Sequence, residues 1–165
     1  MTTRELFNAA QGAPAAVERL AAGAVILRGF AHADEDALVE ALNDVVASAP
    51  FRHMVTPGGF RMSVAMTNCG QLGWVSNAAG YRYDPVDPDS GKRWPPMPRA
   101  FRKLAEDAAA RAGFAGFVPD ACLINRYEPG ARLTLHQDRN ERDFEAPIVS
   151  VSLLSLIHIS EPTRH

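Results

Sequence analysis

The stretch Pro119-Asp-Ala-Cys-Leu-Ile-Asn-Arg-Tyr-Glu-Pro-Gly-Ala-Arg-Leu-Thr-Leu-His-Gln-Asp138 decides the reading of this 165-residue chain. Two strand-like runs, residues 121–127 and 132–138, flank a Glu128-Pro-Gly turn. Strand side chains alternate between the two faces of a sheet. Leu133 and Leu135 therefore point one way, and Thr134, His136 and Asp138 the other. A histidine and a carboxylate two residues apart set a ring nitrogen beside a carboxylate oxygen. These are two of the three ligands of the 2-His-1-carboxylate triad that holds non-haem Fe(II). Alone, the tripeptide is short and common, and a surface hydrogen bond between His136 and Asp138 is its more frequent meaning. On the preceding strand Leu123, Asn125 and Tyr127 share a face, so two hydrogen-bonding side chains converge on the same neighbourhood.

Working outward, residues 98–113 form the clearest helix. Pro98 suits its first position, Phe101, Leu104, Ala105, Ala108 and Ala112 its apolar stripe, and Gly113 the position just past its end. A second helix is predicted over residues 34–48, with Leu38, Leu42, Val45 and Val46 at helical spacing, Asp34 as N-cap and Pro50 closing it. Residues 24–30 read as a buried strand and a turn, preceded by a weak helical pattern over 15–22. Residues 51–97 show no long core-forming period. Strand-like pieces at 60–67 and 81–83, five prolines between 84 and 98, and the aromatics Trp74, Tyr81, Tyr83 and Trp94 suggest a loop-and-hairpin region laid over the domain. A last strand is expected over residues 148–153. Helices leading into successive hairpin strands fit an α+β chain with a double-stranded β-helix, or jelly-roll, core.

Composition bounds the function classes. At 47% hydrophobic and 22% charged, the chain has the make-up of a globular domain, and its net charge of −2 carries no global signal for nucleic acid. Residues 82–111 nevertheless hold Arg82, Lys92, Arg93, Arg99, Arg102, Lys103 and Arg111. Such a stretch can meet phosphates, although a solvated surface is its commoner meaning. Cys69 and Cys122 lack C-x-x-C spacing, which argues against a zinc ribbon or disulfide scaffold and for reduced thiols of a cytoplasmic protein. The N-terminal residues carry no apolar signal core and no 18-residue apolar run occurs, so neither export nor a membrane partner is expected.

The 119–138 stretch resembles the core of AlkB-type 2-oxoglutarate/Fe(II) dioxygenases, the bacterial members in particular. Further matching pieces are residues 20–28, 54–60, 62–70, 72–74 and 146–153, in order from about 20 to 153. The resemblance implies His136 and Asp138 as Fe(II) ligands, and Asn125, Arg126 and Tyr127 as contacts of the co-substrate 2-oxoglutarate. It implies Trp74 as the ring stacked on a flipped methylated base, with Met66, Tyr81 and Tyr83 in a nucleotide-recognition lid at about 51–97. Without it, Trp74 reads as an ordinary core or surface aromatic. The implied reaction is oxidative demethylation of 1-methyladenine and 3-methylcytosine in single-stranded DNA, with RNA as an alternative strand, by a monomer. A flipped base is read by stacking between flat surfaces, and single strands are held by aromatics and cations. One departure falls in the site: the family has an acid two residues after the metal aspartate, where this chain has Arg139 followed by Asn140. Asn keeps an acceptor and loses the charge, which implies an altered preference among methylated bases. A non-catalytic nucleic-acid-binding module and a related dioxygenase with another substrate are the rival readings.

After residue 153 the family pattern leads into a turn, more strands, a second histidine ligand and arginines that clamp 2-oxoglutarate. Here the chain reads Leu154-Ser-Leu-Ile-His-Ile-Ser-Glu-Pro-Thr-Arg-His165, which matches the in-frame translation of a transposase-type sequencing adapter. Residues 1–153 are thus expected to be an incomplete dioxygenase domain and 154–165 a non-native tail. Replacement of the missing ligand by His158 or His165 is the alternative, disfavoured by topology because strands must intervene before the chain returns to the metal. With two ligands of three and strand edges left unpaired, the chain by itself is expected to be unstable and inactive.

Overall fold

The computed structural model describes residues 16–134, 143 and 145–153. Its elements are β1 (Ala16–Ala21), β2 (Ala24–Arg28), a 3-10 turn (His32–Asp34), α1 (Glu35–Ser48), β3 (Ala65–Gly70), β4 (Gly73–Asn77), β5 (Gly80–Asp84), α2 (Arg99–Arg111) and β6 (Ala121–Arg126). All three sheets are antiparallel pairs: β1 with β2, β3 with β6, and β4 with β5. The α+β class holds, whereas the described strands do not themselves lay out a jelly roll.

The most buried strand is β3. Val64, Ala65, Met66, Thr67, Asn68 and Cys69 are all buried, and Met54, Val64 and Met66 form a core cluster against which Met62, Trp74 and Ala131 pack. Full burial of a side chain of this size contributes about 1.5–3 kcal/mol. Residues 51–97 are therefore only partly an overlay, because their 64–69 stretch forms the interior. The run was hard to read because polar Thr67 and Asn68 interrupt its apolar pattern. Each is satisfied internally: Thr67 donates to the Ala49 carbonyl at 2.7 Å, and Asn68 binds the backbone of Trp74. On the other edge of β3, Arg52 and Met66 exchange both backbone hydrogen bonds.

The helices follow their stripes. In α1, Leu38 and Val45 are buried. Asp34 occupies the N-cap position but makes no capping hydrogen bond, because it closes the 3-10 turn at φ −104° and ψ 3° instead of adopting the extended cap conformation. In α2, Leu104 and Ala109 are buried. Gly113, at φ +98°, donates to Ala110 while Phe114 donates to Ala109, which is the Schellman arrangement that an achiral residue at this position permits.

Two further sequence expectations fail. Residues 16–21 form β1 and not a helix: the turn at Ala22 and Gly23 folds them back on β2, and interstrand bonding outweighs the weak alanine propensity. Residues 148–153 form no strand. Ile148, Val151 and Leu153 are exposed and pair with no ladder among the described residues, and a strand needs a hydrogen-bonded neighbour.

Candidate functional site

Register places the site on one face of β3 and β6. Met66 stands opposite Asn125, and Asn68 opposite Leu123. Because Met66 directs its backbone groups to Arg52, the Met66–Asn125 pair is non-hydrogen-bonded, the kind in which side chains approach most closely. The Asn125 amide donates to the Tyr127 hydroxyl at a long 3.5 Å. Its Oδ1 is buried and has no hydrogen-bond partner among the described residues. Burying such a group alone costs about 1–3 kcal/mol. A half-turn of the amide lets Oδ1 accept from Tyr127 and aims two N–H donors at the unpartnered side, which is the chemistry a carboxylate requires. Such a donor set suits a carboxylate, the group that the co-substrate implied by the resemblance carries.

The Met66 cluster also carries an aromatic pair. In the β4–β5 hairpin Trp74 pairs with Tyr83, and Tyr81 lies one diagonal away on the same face. The Trp74 and Tyr81 rings stack with centroids 5.6 Å apart and planes 18° from parallel. Trp74 is half-buried against the Met66 cluster, while Tyr81 is 47% exposed. A stacked, half-open ring pair is a platform on which another flat ring can lie.

Asn68 joins the two halves. β3 and β4 share no ladder, yet the Asn68 amide donates to the Trp74 carbonyl at 2.9 Å and accepts from the Trp74 N–H at 3.0 Å. An amide side chain has the same donor and acceptor as a peptide group, so Asn68 takes the place of the missing strand pairing. Gly73 permits the approach: a Cβ there would lie 2.4 Å from the buried Trp94 ring and 2.9 Å from the Asn68 Cβ. Trp94 is held by its own N–H bond to the Asp84 carbonyl and lies beneath the Arg52 guanidinium. Arg52 also pairs with Asp87 at 2.6 Å and Asp89 at 3.2 Å. Burial pushes the Asp87 carboxyl up, but Arg52, the Asp89 N–H and the Ser90 hydroxyl outweigh it and hold it below its usual range. Ser63 is the other locating residue. Its hydroxyl donates to the Arg132 carbonyl and accepts the Arg132 N–H, both at 3.0 Å, tying down the chain that leads towards His136.

The structure thus brings Met66, Trp74, Tyr81, Tyr83, Asn125 and Tyr127 into one neighbourhood. It does not bring Arg126 there. Alternation along β6 turns that side chain to the opposite face, where its guanidinium lies 4.7 Å from the Phe51 ring centroid and pairs with Glu128. His136, Asp138, Arg139 and Asn140 lie outside the described residues, as do His158, His165 and the whole 154–165 tail. Among the described residues no three His, Cys, Asp or Glu side chains gather to hold a metal. The basic stretch is partly neutralised within the chain: Arg82 pairs with Asp84, Arg102 with Glu106 and Lys103 with Asp107. No helix among the described residues is long and apolar enough to cross a membrane. Asn68 and Ser63 had no role in the sequence reading. An amide set between buried apolar residues was the available signal for Asn68, since such a group requires partners.

Comparison with known proteins bears on this geometry. A family model described as the 2OG-Fe(II) oxygenase superfamily matches residues 23–158. The chain is 60% identical over 136 residues to the alpha-ketoglutarate-dependent dioxygenase AlkB of Escherichia coli (strain K12), covering 82% of this chain and 63% of that protein. It is 47% identical over 135 residues to the AlkB homolog of Caulobacter vibrioides, covering 78% of this chain and 60% of that protein. The chain therefore spans less than two thirds of the length of these relatives. Among solved structures, "The structure of OsALKBH1" superposes with a TM-score of 0.65 at 26% identity, over 76% of this chain and 62% of that one. The fold, the matched span and the shared sequence agree: the chain belongs to the 2OG-Fe(II) oxygenase superfamily.

Proposed function

We propose that a protein carrying this chain, extended to the length of its relatives, removes N-methyl groups oxidatively from bases of 1-methyladenine and 3-methylcytosine type in single-stranded DNA. The observation that carries the reading is the half-open Trp74–Tyr81 stack on the Met66 cluster, with Met66 opposite Asn125, whose buried Oδ1 has no partner among the described residues. Iron(II) with 2-oxoglutarate supplies the oxidising chemistry: the co-substrate and O2 give succinate and CO2, and one oxygen atom reaches the N-methyl carbon. The hydroxymethyl group so formed leaves as formaldehyde and restores the base.

In this reading His136 and Asp138 hold the iron, and Asn125 and Tyr127 donate to the co-substrate. Trp74 stacks on the flipped base, while Met66 backs it and Tyr81 and Tyr83 close over the nucleotide. The lid is the β4–β5 hairpin with its flanking loops inside residues 51–97. Arg139 and Asn140 border the base, and Asn140, lacking a carboxylate, shifts the preference between the two lesions. The sheets are read as part of a double-stranded β-helix, and the protein as a cytoplasmic monomer whose two thiols are free in the resting state.

Formaldehyde release from methylated single-stranded DNA, dependent on Fe(II) and 2-oxoglutarate, tests the activity in the extended protein. Tight DNA binding without formaldehyde or succinate would favour the non-catalytic module instead. Turnover confined to methylated RNA would leave the chemistry and overturn the substrate.

A further inference from the structure

Cys69 and Cys122, which the proposed reaction does not use, face each other across β3 and β6. Met66 directs its backbone groups away from β6, so by alternation Cys69 directs its groups towards β6, and Gln71 continues the pattern by donating to Asp120 at 2.8 Å. The two cysteines are thus a hydrogen-bonded pair, with Cα atoms about 5.5 Å apart. Disulfides span about 4.4–6.8 Å between Cα atoms.

Their surroundings are unequal. Cys69 is fully buried at 0% exposure, while Cys122 is half-buried. The neighbouring Cys122 sulfur, together with burial, pushes the Cys69 thiol far up. The Cys69 neighbour pulls Cys122 below the usual thiol range, against the opposing effect of its own burial. A half-buried cysteine facing a fully buried one across two strands is the arrangement of a first-oxidised thiol beside a resolving thiol.

We propose that Cys122 and Cys69 are a peroxide-responsive pair in which Cys122 is oxidised first and Cys69 resolves it into an intrachain disulfide joining β3 to β6. The Cys122 thiolate attacks the terminal peroxide oxygen. An S–O bond forms, the O–O bond breaks, and alkoxide leaves to take up the thiol proton as alcohol, or as water from hydrogen peroxide. Cys69 sulfur then attacks the Cys122 sulfenic sulfur, forming the S–S bond and expelling water. Two thiols and one hydroperoxide give one disulfide, one alcohol and one water. The Cβ atoms of a hydrogen-bonded pair are wider apart than the ~3.8 Å of a relaxed disulfide, so the bond is strained and a dithiol reopens it readily. The bond lies on the strand that carries Asn125, three residues further along.

The test is thiol counting on the native 165-residue chain after one equivalent of hydrogen peroxide in chelator-treated buffer, with peptide mass mapping. Both thiols are expected to disappear together into a single intrachain Cys69–Cys122 linkage that dithiothreitol reverses. In Cys69→Ala, dimedone should label Cys122. In Cys122→Ser, loss of the remaining Cys69 thiol should slow about tenfold or more, as expected for a fully buried sulfur. If a Cys variant fails to fold, the wild-type map still decides. Survival of both thiols in the native chain, sulfinic Cys122 beside free Cys69, or only intermolecular disulfides would each overturn the proposal.

Discussion

Asn68→Ala is the sharpest test of how the two halves of the site are joined. Asn68 is fully buried, and its amide makes hydrogen bonds of 2.9 and 3.0 Å to the Trp74 carbonyl and N–H. Each such bond contributes about 1 kcal/mol net, and each polar group left buried without a partner costs about 1–3 kcal/mol. Truncation strands both Trp74 groups, and the stranding cost includes the lost bonds, so the expected loss is roughly 2–6 kcal/mol. That is a large fraction of the 5–15 kcal/mol by which a domain is typically stable. At this chain length it corresponds to a fall in melting temperature of about 4–24 °C. Urea unfolding followed by tryptophan fluorescence measures it, since Trp74 itself is anchored by the clamp. Asn68→Asp sharpens the test. A carboxylate still accepts from the Trp74 N–H but opposes the Trp74 carbonyl, whereas the protonated acid can donate to it. The Asp variant should therefore lose least below the ordinary carboxyl pKa of about 3.9 and progressively more as pH rises above it. A loss below about 0.5 kcal/mol in Asn68→Ala, or pH-independent behaviour of Asn68→Asp, would refute the clamp.

Other expectations concern stability and specificity. Gly73→Ala would drive a methyl group to 2.4 Å from the Trp94 ring, so it should cost at least as much as the overpacking range of about 1–3 kcal/mol, read by the same unfolding curves. Asp87 ionises at lower pH in the folded chain than its ordinary value of 3.8, so its stabilising effect is complete above that value and is lost as pH falls through the lower folded one. Asp87→Asn should accordingly flatten the acid limb of a stability–pH profile below pH 3.8, and an unchanged limb would contradict this. In the extended protein, Asn140→Asp should change the ratio of turnover on 1-methyladenine and 3-methylcytosine. Identical ratios would remove Asn140 from base selection.

Much of this arrangement was legible in the residues because local rules happened to agree with the tertiary result. Helix α2 announced itself through Pro98, its apolar stripe and Gly113, and β6 through alternation ahead of the Glu128-Pro-Gly turn. Asn125 and Tyr127 were picked out together because strand geometry puts them on one face. Where tertiary contacts decide, the sequence was silent or misleading. The alanines of β1 carry a helical propensity that pairing with β2 overrides, and nothing local reveals that partner. The buried character of β3 was masked by Thr67 and Asn68, whose partners lie 18 and 6 residues away. Arg126 was grouped with its neighbours by resemblance, although the alternation that placed Asn125 already turned it to the other face.

The central claim is that one site has a co-substrate end at Asn125 and a base wall at Trp74, and a crossed kinetic experiment on the extended protein tests it most directly. Asn125→Ala removes a hydrogen bond to a carboxylate, a contribution of about 1.5–3 kcal/mol, and should raise KM for 2-oxoglutarate about 10- to 150-fold with KM for methylated DNA unchanged. Trp74→Ala removes a stacking surface of about 1–3 kcal/mol and should raise KM for DNA about 5- to 150-fold with KM for 2-oxoglutarate unchanged. Equal effects of either substitution on both substrates, or no effect of either, would contradict the account.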